Sequence, residues 1–299
     1  MRIHLFLLGG LLLSSLAHAN AAPHTFSIQT HGQGEPMVFI PGLTSSGAVW
    51  QDTVKRFADR YECHVLTLAG FAGTAPYVSD QPFLASVRDE LAAYITERQL
   101  EQPVIVGHSL GGVLALDLAI HHPQLPGRLV IVDSLPFIVG IMQPGATMED
   151  ARRVATATVQ SFSAMSAERY AQMIRSGPNG STMATRAEDI DRIIAWGLAS
   201  DAPTVAKAMH ELYTTDLRGS LSAITAPTLV IAAWIGYAPY ASHDYIDRIY
   251  REQYAQLAGV RIEITDTSRH FVMLDEPAQF AETVNAFLAS TPSAPGSHR

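Results

Sequence analysis

The chain of 299 residues is 47% apolar and only 16% charged, which excludes a disordered chain and leaves ample material for a large buried core. Its net charge of −8 comes from 20 basic and 28 acidic residues; the basic ones are scattered rather than striped, which excludes an electrostatic nucleic-acid binder. A single cysteine, Cys63, excludes an internal disulfide and a zinc-finger ligand set.

Residues 1–21 read as a secretory leader. Arg2 is the positive start, Leu5 to Leu16 is apolar, and Ala17-His18-Ala19 supplies a small-residue cleavage site, with Ala19-Asn20-Ala21 an alternative. The apolar stretch is short for a bilayer span, and no cysteine follows it to carry a lipid. Export to the periplasm or medium is therefore expected. No later apolar run approaches 20 residues, so no stable membrane insertion is expected after cleavage.

Two periodicities then alternate. Strands are predicted at Thr25 to Thr30, Met37 to Ile40, Glu62 to Leu68, Pro103 to Val106 and Leu129 to Val132. Helices are predicted between them at Ala48 to Arg60, Phe83 to Leu100 and Leu110 to His121. From Leu135 to about Thr225 strand signals vanish, and helical patterns occupy Met148 to Phe162, Ala167 to Ile174, Ala187 to Leu198 and Thr204 to Tyr213. Strand Pro227 to Ala232, helix His243 to Leu257, strand Val260 to Thr265 and helix Pro277 to Leu288 resume the alternation. Strands alternating with helices require a mostly parallel twisted sheet with helices on both faces, here with an inserted helical lid. The divisions are a leader at 1–21, core at 22–134, lid at 135–225, core at 226–289 and a disordered tail at 290–299.

The most informative segment is Pro103-Val-Ile-Val-Gly-His-Ser-Leu-Gly-Gly112. A β-rich run ends at Gly107, Ser109 follows, and a helix begins at once. This is Gly-x-Ser-x-Gly in the strand–turn–helix setting that strains the serine and aims its Oγ off the sheet. Residues two positions away must lack bulk, which Gly107 and Gly111 satisfy. The N-terminus of the following helix adds positive potential.

With this segment, Val38-Phe-Ile-Pro-Gly-Leu43 and Ser268-Arg-His-Phe-Val-Met-Leu-Asp-Glu-Pro277, in that order and spacing, residues 25 to 289 resemble the α/β-hydrolase family. The resemblance implies Ser109 as nucleophile and His270, after the last strand, as its base. It implies a backbone oxyanion hole from the N–H groups of Leu43 and Leu110. Relatives often carry His-Gly where this chain has Pro41-Gly42.

The family pattern breaks at the acid. Many relatives place an Asp after the strand that follows the lid, but here Ile235-Gly236-Tyr237 stand there. Asp133 closes the strand after the nucleophile helix and would emerge at the same sheet edge as Ser109, so it is the expected acid. Asp244 and Asp247 are the alternatives, while Asp266 reads as a turn residue and Asp275-Glu276 as the start of the last helix. His108 is expected to pack beneath the site, His121-His122 to face a helix C-terminus, and His243 to cap a helix.

Trp234, Phe137 and Tyr237 are candidate pocket walls, with Trp196 and Tyr213 beside them. The lid methionines Met142, Met148, Met165, Met173, Met183 and Met209 are a weaker hint of an adaptable apolar surface. The expectation is a serine esterase acting on a small-molecule ester, needing neither metal nor organic cofactor. A lactonase or thioesterase shares that intermediate. A proline-type aminopeptidase would need amine-binding lid acids, for which Glu149, Glu168, Glu188 and Glu211 are available. A non-catalytic receptor with a lidded pocket is the alternative outside enzymes.

Overall fold

The computed structural model describes residues 24–141, 143–176 and 181–290. The leader at 1–21, Met142 and tail residues 291–299 lie outside them. Before the lid, the chain runs β1 (Phe26–His31), β2 (Glu35–Ile40), a 3-10 turn at Gly47–Trp50, α1 (Gln51–Phe57), β3 (Tyr61–Leu68), α2 (Phe83–Glu97), β4 (Val104–His108), α3 (Leu110–His121) and β5 (Arg128–Val132). Helices α4 (Met148–Ser163), α5 (Ala167–Arg175), α6 (Ala187–Ala199) and α7 (Ala202–Thr214) form the insert. The chain then returns through β6 (Thr228–Ala233), α8 (His243–Gln253), β7 (Arg261–Thr265), the short α9 (Val272–Asp275) and α10 (Pro277–Ala289).

The strands form one sheet in the order β1-β3-β2-β4-β5-β6-β7, parallel except where β1 pairs antiparallel with β3. Central strands β4 and β6 are buried at every position, whereas edge strands β1 and β7 are largely half-buried or exposed. That contrast follows from helices covering both faces of the middle of a parallel sheet. Alternation along β2 splits the core. Val38 and Ile40 join the layer containing Leu91, Leu114 and Ile249, and Met37 and Phe39 join the layer containing Phe57, Phe280 and Val284.

Three predicted helices are shorter than their periodicity suggests. Ala48 to Arg60 divides into the 3-10 turn and α1, and α8 stops at Gln253. Helix α2 ends at Glu97 because Gln99 and Gln102 adopt left-handed backbone angles (φ 53° and 44°) in the turn into β4. The insert is fastened at several points. Glu211 of α7 accepts from the N–H groups of Phe83 and Leu84, at 2.9 and 2.8 Å, so it caps α2.

Candidate active site

In this sheet the chain steps to one side of β2 to place β3 and to the other side to place β4. The C-terminal ends of strands beside such a reversal form a crevice. Ser109 stands there, between β4 and α3, with φ 53° and ψ −118°. This backbone strain is the one expected of a nucleophile turn. Neighbouring backbone makes it tolerable. Ser109 N–H donates to Val132 O at 3.0 Å, and Ser109 O accepts from Gly112 N–H at 2.8 Å and from the Ser134 hydroxyl at 2.7 Å.

The flanking glycines are required by contact. A Cβ on Gly107 would lie 2.2 Å from Gly111 O, and one on Gly111 would lie 2.3 Å from Ile40 O. No side chain fits either gap, so the helix can start directly against the strand ends only with glycine at both places.

Strands β4 and β5 run in register with His108 opposite Val132. Ser109 and Asp133 therefore leave the sheet at the same level. Asp133 is buried and sits at φ 41°, and its Oδ2 accepts from His270 Nδ1 at 2.6 Å. Its Oδ1 accepts from Ala233 N–H at 2.9 Å and from the Tyr250 hydroxyl at 2.8 Å. With the proton on Nδ1 directed at the carboxylate, His270 Nε2 carries the lone pair available to a hydroxyl.

His270 is held from three sides. His108, fully buried, donates Nε2–H to His270 O at 3.0 Å, and the two rings lie 4.5 Å apart. Burial, and next the neighbouring His270, push the His108 pKa well below its ordinary value, so this ring stays neutral. From the insert, Thr182 O and Met183 O accept from the N–H groups of His270 and Phe271, at 3.3 and 2.9 Å. Asp275 completes the clasp by accepting from the N–H groups of Thr185 and Arg269, at 2.7 and 2.8 Å.

The loop after β2 closes the near side. A Cβ on Gly42 would lie 3.2 Å from Ser109 Cβ and 3.0 Å from His108 Nδ1, so this backbone lies against the Ser109 turn. Leu43 follows in a turn closed by Ser45 N–H to Gly42 O at 3.1 Å, with Thr44 at φ 60°. Leu110 opens α3, so its N–H lacks an acceptor one turn earlier within the helix. Of the three hydroxyl residues in this loop, Ser46 is the cap, accepting from Ala48 N–H.

The structure thus brings His270 and Asp133 into contact, with Ser109 at the end of the neighbouring strand β4. It does not bring the alternative acids there. The Asp244 side chain is fully exposed, and Asp247 accepts from Arg251 at 2.8 Å on the same helix, which lowers its pKa. Gly236 lies under the insert, where a Cβ would meet Thr182 O at 3.0 Å.

Among the pocket candidates, Phe137 is corrected to a core residue. Its ring is 0% exposed, packs with Val139, Ala146 and Ala151, and lies under the Arg218 guanidinium. Trp234 and Tyr237 are half-buried in the loop after β6, and Trp234 donates Nε1–H to Ala241 O at 3.0 Å. Burial, reinforced by the Asp133 charge, raises the Tyr237 pKa.

The methionines do not share a surface, since Met209 is buried and Met173 is half-exposed. His121 bonds to Asp117 O at the end of α3, and His243, one residue past the Ser242 cap, pairs with Asp266 at 3.4 Å. Burial pushes the Cys63 thiol up to about 11. Among the described residues, no group of three or more His, Cys, Asp or Glu side chains is arranged to hold a metal ion.

Sequence reasoning missed Tyr250, the Ala233 N–H and the Thr182–Met183 clasp. Periodicity showed the helix that carries Tyr250 but not what its phenol meets. The other two contacts are main-chain and have no residue signature.

The model of the alpha/beta hydrolase family matches residues 37–283. The chain belongs to this family. A pimeloyl-[acyl-carrier protein] methyl ester esterase from Aeromonas hydrophila subsp. hydrophila is 28% identical over 270 residues, covering 88% of this chain and 98% of its own length. Among solved structures, MenH from S. aureus superposes with a TM-score of 0.74 at 17% identity, covering 88% of this chain and 97% of MenH. The esterase EaEST from Exiguobacterium antarcticum gives 0.69 at 17% identity, covering 89% and 96%. At such identities the two structures speak for the hydrolase fold alone.

Proposed function

We propose that this protein is an exported serine esterase in which Ser109 is the nucleophile, His270 the general base and acid, and Asp133 the orienting carboxylate. It is a carboxylic ester hydrolase. The observation that carries the catalytic assignment is the 2.6 Å contact from His270 Nδ1 to a buried Asp133, one strand from the strained serine.

In this mechanism Ser109 Oγ attacks the ester carbonyl carbon while His270 Nε2 takes its proton. The oxyanion of the tetrahedral intermediate accepts from the N–H groups of Leu43 and Leu110, donors fixed before the charge develops. Collapse expels the alcohol, which takes the proton from His270. Water then adds to the acyl-serine with His270 again as base, and collapse breaks the bond to Ser109 Oγ, which regains its proton from His270 as the acid leaves. Asp133 holds the imidazole in the required tautomer and offsets its transient positive charge. Every proton moves between chain groups, substrate and water, and no step calls for a cofactor.

The substrate proposed is a small-molecule carboxylic ester with a small alcohol, a class suggested by the methyl ester esterase relative. Export rests on the leader at 1–21. No helix among the described residues is long and apolar enough to cross a membrane. The aminopeptidase reading loses support. Glu149 and Glu188 are exposed beside Arg153 and Arg186, Glu168 is exposed on α5, and Glu211 caps α2.

A fluorophosphonate probe tests the assignment. Wild type should be labelled and should turn over p-nitrophenyl acetate, and Ser109→Ala should lose labelling and about four to six orders of magnitude in rate. A Ser109→Ala protein that still turns over the ester would overturn it. So would a wild type that takes no label yet binds an ester with unchanged affinity, the behaviour of a receptor.

A further inference from the structure

Asp133 carries more than its contact with His270. Its carboxylate is buried, and each oxygen is engaged: Oδ2 by His270 Nδ1, and Oδ1 by both Ala233 N–H and the Tyr250 hydroxyl. A carboxylate in such a setting divides its charge among its donors, so each donor lowers its pull on the others. The Ala233 N–H belongs to β6 and is present whatever side chain follows. The Tyr250 hydroxyl is a choice of side chain, supplied from α8 across 117 residues of chain.

We propose that Tyr250 is a positioning residue for the acid–base pair: its phenol fixes the plane of the Asp133 carboxylate and tempers the basicity that Asp133 confers on His270. This rests on reading Ser109, His270 and Asp133 as the catalytic set. Carboxylate rotation matters here because Asp133 lies just past β5 at φ 41°, outside the regular strand conformation. Two donors on Oδ1 hold Oδ2 toward the imidazole. Burial, and next the Asp133 charge, raise the Tyr250 pKa well above its ordinary value, so the phenol remains a donor at every working pH.

The titratable groups around the pair are few. The His108 ring on β4 lies tilted against His270, the Tyr250 hydroxyl on α8 meets Asp133, and Tyr237 after β6 and Tyr254 at the end of α8 feel the Asp133 charge. Arg269 adjoins His270 in the chain and donates to Ser181 O. Tyr254 supplies an internal control. It is buried, stacks on Tyr250 at 6.5 Å, and donates its hydroxyl at 2.8 Å to Ser134 O, one residue beyond the acid. A purely structural role would make the two tyrosines equivalent.

The experiment is the pH profile of kcat/KM for p-nitrophenyl acetate in wild type, Tyr250→Phe, Tyr254→Phe and Asp133→Asn. Phenylalanine at 250 keeps the ring, and Asp133 Oδ1 keeps Ala233 N–H as a donor. Losing the phenol donor concentrates charge on Oδ2 and favours the imidazolium. The acid limb of Tyr250→Phe should therefore move up by roughly 0.5 to 1 pH unit, with kcat about tenfold lower and KM within about twofold. Tyr254→Phe should leave the limb in place.

An unmoved limb in Tyr250→Phe, or an equal shift in Tyr254→Phe, overturns the proposal. If Tyr250→Phe does not fold, 3-fluorotyrosine placed at 250 alone keeps the shape and strengthens the donor. The limb should then move down, and an unmoved one overturns the proposal equally. The two layers separate through Asp133→Asn. Near-normal turnover there removes the catalytic assignment itself, whereas collapse there with an unmoved Tyr250→Phe limb removes only the role of Tyr250.

Discussion

The ends of β5 and β6 are neighbours in the sheet and meet opposite fates. Strand β5 is followed at once by Asp133, a buried carboxylate that reaches His270. Strand β6 is followed by Trp234-Ile235-Gly236-Tyr237, and the insert sets Thr182 O 3.0 Å from where a Cβ at 236 would stand. What β6 does contribute is main chain, the Ala233 N–H given to Asp133. The difference teaches that the acid of such a site is defined by which carboxylate meets the imidazole, and adjacent strand ends offer two routes to one contact. It also ties the route to the insert, because Thr182, whose carbonyl holds His270 N–H, lies against Gly236.

The largest effect should come from breaking the β5 side. Asp133→Asn is expected to lower turnover of p-nitrophenyl acetate by about three to four orders of magnitude, the loss that follows when a triad imidazole is left in the wrong tautomer. Asp244→Asn and Asp247→Asn should stay within about twofold of wild type. Near-normal turnover in Asp133→Asn, with a collapse in either of the others, would reverse the comparison.

A carboxylate moved to the β6 side sharpens it. Gly236→Asp should not rescue Asp133→Asn, because its Cβ already crowds the Thr182 carbonyl. The substitution should instead lower stability by about 1–3 kcal/mol, measured by urea denaturation. Recovery of even a hundredfold in rate by the double variant would show the two strand ends to be interchangeable.

The smallest effect concerns His108, under the β4 end. Its folded-state pKa is depressed by burial, so below about pH 6.5 the unfolded chain binds a proton that the folded chain refuses. This contribution to stability is present above the ordinary histidine pKa and is lost as pH falls through it, at up to about 1.4 kcal/mol per pH unit. His64, buried between Tyr94 and Glu62, adds a loss of the same sign. Urea unfolding of His108→Asn between pH 7.5 and 5.5 should show a shallower decline than wild type. Parallel declines would mean that the ring is already charged in the folded state.

Strong local signals made the order of elements legible. The β-rich runs and helical periodicities place β4, α3, β5 and the four insert helices within a few residues of where they fall, because burial on both sheet faces selects continuous apolar runs and helices repeat their apolar face. The strained serine was legible for a related reason. Gly107 and Gly111 are demanded by contacts a few residues apart, so the requirement is written locally. Phe137 misled because an aromatic residue just beyond a strand end has the same composition whether it faces a cleft or, as here, lies beneath Arg218.

Sequence by itself determined the sheet-and-helix class, the strained turn at Ser109 and a short list of carboxylates, since each depends on periodicity or on neighbours close along the chain. The tertiary structure alone decided which carboxylate reaches His270, that Tyr250 and Ala233 share it, and that the insert closes the β6 position. The Asp133 contacts join residues 100 to 137 positions apart, and the insert contact joins Thr182 to Gly236, in different elements. Strand register and crossover create them, and no local pattern in the chain encodes either.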